Sequence, residues 1–190
     1  MSEERLRRVR DRVRPFPDFP EPGVLFRDIS PLLKDPVAFR TLIDLLEDHV
    51  RASFPKIDFI AGEGEGNGLL GPSSSTGWEQ ECGLCFLPSE GLEEQIAFRG
   101  PLIGRIKQGR AALCSLQAEL EIQSDAVEPG QKVVIVDDLL ATGGTMCAAC
   151  ELLKRLKAEI LECLVVIELK ALKGSEKLNS IPFYSLLQYD

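Results

Sequence analysis

The chain of 190 residues has 44% hydrophobic and 27% charged residues, which is ordinary for a globular protein with one sizeable core. Its formal net charge of −8 argues against non-specific binding to nucleic acid, which needs a basic surface. We find no apolar run of the roughly 18 residues that a membrane-spanning helix needs, and no apolar signal-peptide core in the charged N-terminal segment. We therefore expect a cytosolic protein with no nucleic-acid or membrane partner.

The N-terminal part combines a charged helix with a proline-rich extended segment. Residues 3–14 repeat apolar side chains on one stripe, which predicts a short amphipathic helix. Five prolines between residues 15 and 31 exclude a regular helix there. Within that stretch, Val24–Arg27 predicts a short strand that exposes an aromatic ring and a guanidinium. A flat heteroaromatic ligand could stack on that ring, whereas the alternative is that Phe26 fills core.

The remainder of the chain alternates helical and strand patterns. Residues 36–53 begin with a proline directly after an aspartate, which is typical of a helix start. Short apolar runs at residues 57–62, 133–136 and 160–169 predict buried strands. Helices that alternate with strands in this way predict an α/β fold with a central parallel sheet.

The clearest functional pattern follows the β-branched run Val133–Val136, which predicts a strand buried on both faces. Asp137 and Asp138 come where this strand is expected to end, followed by the turn Ala141-Thr142-Gly143-Gly144-Thr145 and a helical sequence over residues 146–157. Glycines let backbone N–H groups approach a phosphate, threonines add hydroxyl donors, and the helix N-terminus adds partial positive charge. The carboxylates would repel phosphate but accept hydrogen bonds from hydroxyls. The stretch therefore predicts a sugar-phosphate site rather than an ordinary capped turn.

The acidic pair and the glycine turn resemble the 5-phosphoribosyl-1-pyrophosphate (PRPP) motif of the type I phosphoribosyltransferase family. Segments at residues 16–20, 22–31 and 183–190 resemble the adenine-specific members of that family. The recognisable motifs cover roughly residues 5–62 and 119–190, about two thirds of the chain.

This resemblance implies a fold and an activity. The implied fold is a single domain over residues 1–190, with a central parallel sheet, flanking helices and an N-terminal hood at about residues 15–35. The implied activity is purine salvage, in which the phosphoribosyl group of PRPP is transferred to adenine to give AMP and pyrophosphate. Mg²⁺ would be carried by PRPP, and the assembly would be a homodimer.

The resemblance also implies the residues that bind the substrates. They are Asp137, Asp138, Ala141, Thr142, Gly143, Gly144, Thr145, Phe26, Arg27 and Leu169. In that assignment the acidic pair holds the ribose hydroxyls and the turn cradles the 5′-phosphate. Phe26 stacks on adenine beside Arg27, and Leu169 helps to enclose the base. The sequence identifies no catalytic acid.

Residues 63–118 interrupt the family pattern. Glu63 and Glu65 stand in a glycine-rich loop where the family has an arginine that faces the pyrophosphate, and the family's mobile catalytic loop is not recognisable. A frame-shifted or wrongly joined coding region, a divergent isoform, and substitute residues all remain open explanations. The basic residues that would substitute are Arg99, Arg105, Lys107 and Arg110. We expect this segment to be the least ordered part of the chain. The alternative function is a weakened or inactive family member that binds AMP or acts as a dimer partner.

The six cysteines are too few for a disulfide scaffold. The pairs Cys82/Cys85 and Cys147/Cys150 each have a spacing found in zinc sites, but the gap between the pairs is far longer than in common zinc modules. We therefore expect buried free thiols and no metal site.

Overall fold

The computed structural model describes residues 2–19, 22–23, 25–63, 82–88, 95–99, 119–123 and 127–190. Most of the segment expected to be least ordered therefore lies outside the described residues, as do Arg105, Lys107 and Arg110. The described chain divides into two compact units, one up to Pro55 and one from Lys56 onward. The single domain over residues 1–190 stays a prediction.

The first unit contains helices and a short hairpin. Its elements are α1 (Ser2–Arg10), β1 (Arg14–Pro17), β2 (Leu25–Asp28), α2 (Ser30–Leu33) and α3 (Pro36–Ser53). The N-terminal helix is shorter than predicted: it ends at Arg10, a turn follows, and Pro15 favours extended backbone at Arg14, where β1 begins. The predicted strand near Val24–Arg27 is confirmed as β2, which pairs antiparallel with β1 and places Phe16 opposite Phe26.

Helix α3 begins where the sequence predicts. The Asp35 side chain accepts hydrogen bonds from the backbone N–H groups of Val37 and Ala38, at 3.0 and 3.1 Å, and so caps the helix. The preceding helix α2 was not predicted. Its first turn contains Pro31, a position at which proline is compatible with a helix because the missing N–H would have no helical acceptor.

The second unit is built on a seven-stranded sheet of described residues, in the order β5-β6-β4-β3-β7-β8-β9. Its strands are β3 (Phe59–Glu63), β4 (Cys82–Pro88), β5 (Gln95–Arg99), β6 (Glu119–Gln123), β7 (Lys132–Leu140), β8 (Glu159–Leu169) and β9 (Phe183–Tyr189). Five neighbouring strands of this sheet pair in parallel, in the order β4, β3, β7, β8 and β9. This pairing confirms the predicted parallel sheet. Strands β5 and β6 extend one edge in antiparallel pairing. Neither of these strands nor β4 was predicted.

The central strand β7 and the helix α4 (Gly144–Arg155) position the predicted site. Residues Val133–Val136 are at most 5% exposed, so this part of β7 is buried on both faces, as predicted. Apolar residues of α4, such as Met146 and Leu153, belong to one buried cluster with Val133 and Ile135 of β7. This packing fixes the start of α4 next to the end of β7, with only three residues between them.

Candidate active site

The acidic pair lies within β7 and not beyond its end, which corrects the sequence expectation. The strand runs on to Leu140 because its parallel ladder with β8 continues, with Asp137 opposite Val165 and Leu140 opposite Glu168. The two side chains remain in hydrogen-bonding contact with each other. The Asp137 carboxylate also accepts a hydrogen bond of 2.8 Å from the backbone N–H of Asp138.

Asp138 is an exposed residue, but neighbouring protein atoms partly desolvate its carboxyl group. This desolvation raises the pKa of Asp138 from its ordinary value of 3.8, while hydrogen bonds with Asp137 and the Leu139 N–H oppose the shift. A carboxyl group whose charge is partly desolvated gains from a ligand that donates a hydrogen bond to it. Asp138 is therefore suited to a hydroxyl-bearing ligand.

The turn after β7 supplies the complementary half of the site. Gly143 is buried, has a φ of +77° and is the N-cap residue of α4. Gly144 and Thr145 form the first turn of that helix and are half-buried. The first N–H groups of a helix have no acceptor inside the helix and carry partial positive charge. The carboxylate acceptors on β7 and the N–H donors at the start of α4 thus lie within a few residues of each other along the chain.

A second glycine, Gly174, packs against this turn. Gly174 begins the short 3₁₀ helix Gly174–Leu178, which follows β8. A Cβ added to Gly174 would overlap the carbonyl oxygen of Ala141 and would lie 2.9 Å from the backbone nitrogen of Gly143. The backbone at Gly174 therefore contacts the turn directly. Gly174 was not predicted as a site residue, because its only signal in the sequence is a lone glycine between two strands.

Phe26 and Arg27 lie on β2 in the first unit. The Phe26 ring contacts the Phe19 ring edge-on, with centroids 5.3 Å apart, and Phe19 contacts Phe16 in the same way at 5.7 Å. Phe26 remains only half-buried in this cluster, so part of its surface is accessible to solvent. That observation favours a ligand-facing ring over a ring that only fills core.

Leu169 ends β8 in the second unit, opposite Tyr189 of β9. It is 8% exposed, and the structure places it one residue beyond Glu168, which is opposite the last residue of β7. The second unit thus brings Leu169 to the same end of the sheet as the turn from Ala141 to Thr145.

The cysteines described with side chains are free thiols. Cys150 and Cys163 are buried with their sulfur atoms 3.5 Å apart, and the half-buried Cys147 donates a weak hydrogen bond to the Lys177 carbonyl. The burial of Cys150 confirms that prediction, whereas the side chains of Cys82 and Cys85 lie outside the described residues. Within the described ranges, no three His, Cys, Asp or Glu side chains are grouped for metal binding. None of the helices described is long and apolar enough to cross a membrane.

The chain is similar to known proteins over its whole length. Residues 108–187 match the family model described as phosphoribosyl transferase domain. Adenine phosphoribosyltransferase of Cricetulus griseus is 57% identical over 192 aligned positions, which cover all of both chains. The Homo sapiens enzyme of the same name is 54% identical with the same coverage.

This chain belongs to the adenine phosphoribosyltransferase family.

Solved structures of other family members have the same fold as this chain. Adenine phosphoribosyltransferase of Saccharomyces cerevisiae, crystallised with an imino-altritol bisphosphate and adenine, has a TM-score of 0.81 at 32% identity. The match covers 97% of this chain and 99% of that one. The enzyme of Thermoanaerobacter pseudethanolicus has a TM-score of 0.80 at 31% identity.

The full-length alignments widen the resemblance beyond the two thirds of the chain seen from motifs. They cover the whole chain, residues 63–118 included. Nothing in these comparisons favours a weakened or inactive protein over an enzyme.

Proposed function

We propose that this chain is an adenine phosphoribosyltransferase of purine salvage, and that the turn between β7 and α4 binds the phosphoribosyl half of its substrates. The reaction forms a bond between adenine and C1 of the ribose and breaks the bond from C1 to pyrophosphate, giving AMP. Adenine loses a proton in the same reaction. One observation carries the proposal. Two carboxylates, Asp137 and Asp138, stand shortly before a helix whose N-cap and first residue are the glycines Gly143 and Gly144.

The acidic pair and the turn divide the work of binding. Asp137 and Asp138 accept hydrogen bonds from the ribose hydroxyls, and the partly desolvated charge of Asp138 strengthens such a bond. Residues Ala141 to Thr145 donate backbone and hydroxyl hydrogen bonds to the 5′-phosphate at the positive end of α4. Both sets of contacts hold the ribose in a fixed orientation while C1 develops positive charge. This orientation lowers the barrier to the reaction.

For the base, the proposal keeps the residues that the family resemblance implies. Phe26 offers a ring for stacking and Arg27 lies next to it on β2, while Leu169 helps to enclose the base. What supports the role of Phe26 is its half-exposed ring, held in place by the edge of Phe19. The catalytic acid or base that handles the adenine proton is not among the residues that we assign.

Mg²⁺ enters this proposal as part of the PRPP substrate. The two adjacent carboxylates of Asp137 and Asp138 fit a role in holding that ion, because Mg²⁺ in phosphate sites takes one or two carboxylates together with phosphate oxygens and waters. When bound, the ion neutralises charge on the departing pyrophosphate. A homodimer and a cytosolic location complete the proposal, and light scattering tests the first.

The test of function is AMP formation by the full chain from adenine, PRPP and Mg²⁺. We expect turnover within the usual enzymatic range of about 1–10³ s⁻¹. Replacing adenine with hypoxanthine in the same assay controls for the base. If calorimetry shows AMP binding but no turnover can be measured, the enzymatic function is contradicted. The alternative of a protein that only binds AMP would then be supported.

A further inference from the structure

Glu168 is a buried carboxylate for which the proposed reaction has no direct use. It is 5% exposed and lies at the penultimate position of β8. Ser175 donates to one carboxylate oxygen at 2.7 Å. Ser185 and Gln188 donate to the other at 3.2 and 3.1 Å. A buried carboxylate is destabilising unless it is hydrogen-bonded in this way, so the network has to be maintained.

The three donors come from two different elements. Ser185 and Gln188 belong to β9, which already pairs with β8, and Gln188 also donates to Ser185 at 3.0 Å. Ser175 belongs to the 3₁₀ helix that begins at Gly174. Its hydrogen bond therefore ties that short helix to the sheet, whereas the other two act within a strand pair that backbone bonds already hold.

The residue before Ser175 contacts the turn that binds phosphate in the proposed function. A Cβ on Gly174 would lie 2.9 Å from the nitrogen of Gly143 and 3.1 Å from Cγ of Leu140. The two backbones are thus packed without space for a side chain. Any movement of Gly174 changes the surface against which the turn rests.

We propose that Glu168 is a positioning residue for the 5′-phosphate, acting through Ser175 and Gly174 on the turn from Ala141 to Thr145. The carboxylate holds Ser175, Ser175 fixes Gly174, and Gly174 keeps the turn in the shape that aims its N–H groups at the phosphate. Groups that bind a ligand have to be held within a fraction of an ångström, so support of this kind affects affinity. This inference rests on the proposed role of the turn.

The experiment compares Ser175→Ala with Ser185→Ala in the full chain. Both variants remove one hydroxyl donor from the same carboxylate, but only Ser175 is linked to Gly174. The probe is ribose 5-phosphate, titrated by calorimetry, because it contains the phosphate and the sugar without base or pyrophosphate. We expect Ser175→Ala to bind it about 2- to 10-fold more weakly, as for the loss of one hydrogen bond. Ser185→Ala should bind it as the unchanged chain does.

Steady-state kinetics supplies a readout that a merely structural role would not move. Ser175→Ala should raise KM for PRPP by a similar factor while KM for adenine stays unchanged. Glu168→Gln should act in the same direction, and adding Ser175→Ala to it should have little further effect if the two residues act as one unit.

Equal effects of the two serine variants on ribose 5-phosphate affinity, or no effect of either, would overturn the inference. A parallel rise of both KM values would do the same, because it would indicate general loosening of the fold. If the unchanged chain binds no ribose 5-phosphate, the proposed role of the turn fails and the inference fails with it. If the unchanged chain binds ribose 5-phosphate and Ser175→Ala binds it equally well, only the inference about Glu168 is contradicted.

Discussion

The backbones of Gly143 and Gly174 are in contact, and a Cβ on Gly143 would lie 2.6 Å from the carbonyl oxygen of Gly174. Gly143 also has a φ of +77°, a conformation that L-residues adopt only with strain. Two independent constraints therefore require glycine at the N-cap of α4.

Gly143→Ala is expected to weaken phosphate binding strongly, because the added methyl must displace either the turn or Gly174. We expect at least a tenfold loss of affinity for ribose 5-phosphate by calorimetry. Strain at positive φ also lowers the free energy of unfolding by about 1–2 kcal/mol. Gly130→Ala is the matched control, since Gly130 has a φ of +86° but nothing within 4 Å of an added Cβ. It should lose stability in urea unfolding and keep its affinity. Equal losses of affinity in both variants would contradict the steric argument.

The sequence predicts the parts of this fold whose signals are local. The proline after Asp35 and the apolar stripe locate α3, and the β-branched run at Val133–Val136 locates the core of β7. The likeness of the acidic pair and the glycine turn to the PRPP motif locates the phosphoribosyl half of the candidate site.

The features that escaped prediction depend on contacts between distant segments. Strand β7 continues through Asp137 and Asp138 because β8 pairs with it there, and two aspartates by themselves disfavour a strand. The contact of Gly174 with Gly143 joins residues 31 positions apart and leaves no periodic signal. Glu168 within an apolar strand looks like an interruption until the donors from residues 175–188 are placed around it.

Phe26→Leu should weaken the use of adenine while leaving the phosphate half of the site intact. Leucine keeps an apolar side chain but removes the ring, and aromatic stacking on a base contributes about 1–3 kcal/mol. We expect KM for adenine to rise about tenfold, with the affinity for ribose 5-phosphate unchanged. Phe16→Leu is the control, because Phe16 belongs to the same ring cluster and lies opposite Phe26 on β1. A larger effect of Phe16→Leu on adenine would show that the cluster, and not stacking, sets KM.

Asp58 should make the protein sensitive to acid. Its pKa is lowered chiefly by a hydrogen bond from the Lys132 backbone N–H, at 2.9 Å, and then by Lys56, whose ammonium lies 2.9 Å from the other carboxylate oxygen. A carboxyl group with a depressed pKa stabilises the fold above its ordinary value of 3.8, and that contribution is lost as the pH falls through 3.8 and below.

Urea unfolding at pH 7, 5, 4 and 3 measures this effect. Asp58→Asn should lower the urea midpoint at pH 7 and flatten its fall toward pH 3, so that the variant and the unchanged chain approach each other in acid. Asp44→Asn is the control, because Asp44 lies in an exposed pair with Arg40 on α3 and joins no strands. An undiminished acid slope in Asp58→Asn would exclude Asp58 as its source.

Asp138 should make the affinity for the ligand depend on pH. Its effect on the free energy of unfolding should have the opposite sign to that of Asp58. Crowding by protein atoms raises its pKa above 3.8, so its carboxylate gains a proton at a pH where an ordinary aspartate stays charged. The proton removes the charged acceptor for a ribose hydroxyl. Affinity for ribose 5-phosphate should therefore fall as the pH is lowered toward the raised pKa of Asp138. Because the folded state holds this proton more tightly than the unfolded state, stability falls as the pH rises between 3.8 and the raised pKa.

Asp138→Asn separates the two effects. At pH 7.5 the variant should bind ribose 5-phosphate about tenfold more weakly, since a hydrogen bond to a charged acceptor is roughly twice as strong as a neutral one. The phosphate itself titrates near pH 6, but it does so equally for both proteins, so the difference between their affinity curves reports the carboxyl group. That difference should shrink as the pH falls. The variant should also be at least as stable as the unchanged chain at neutral pH, because it no longer holds a partly desolvated charge. Affinity curves that run parallel down to low pH would refute the role of the Asp138 charge in binding ribose.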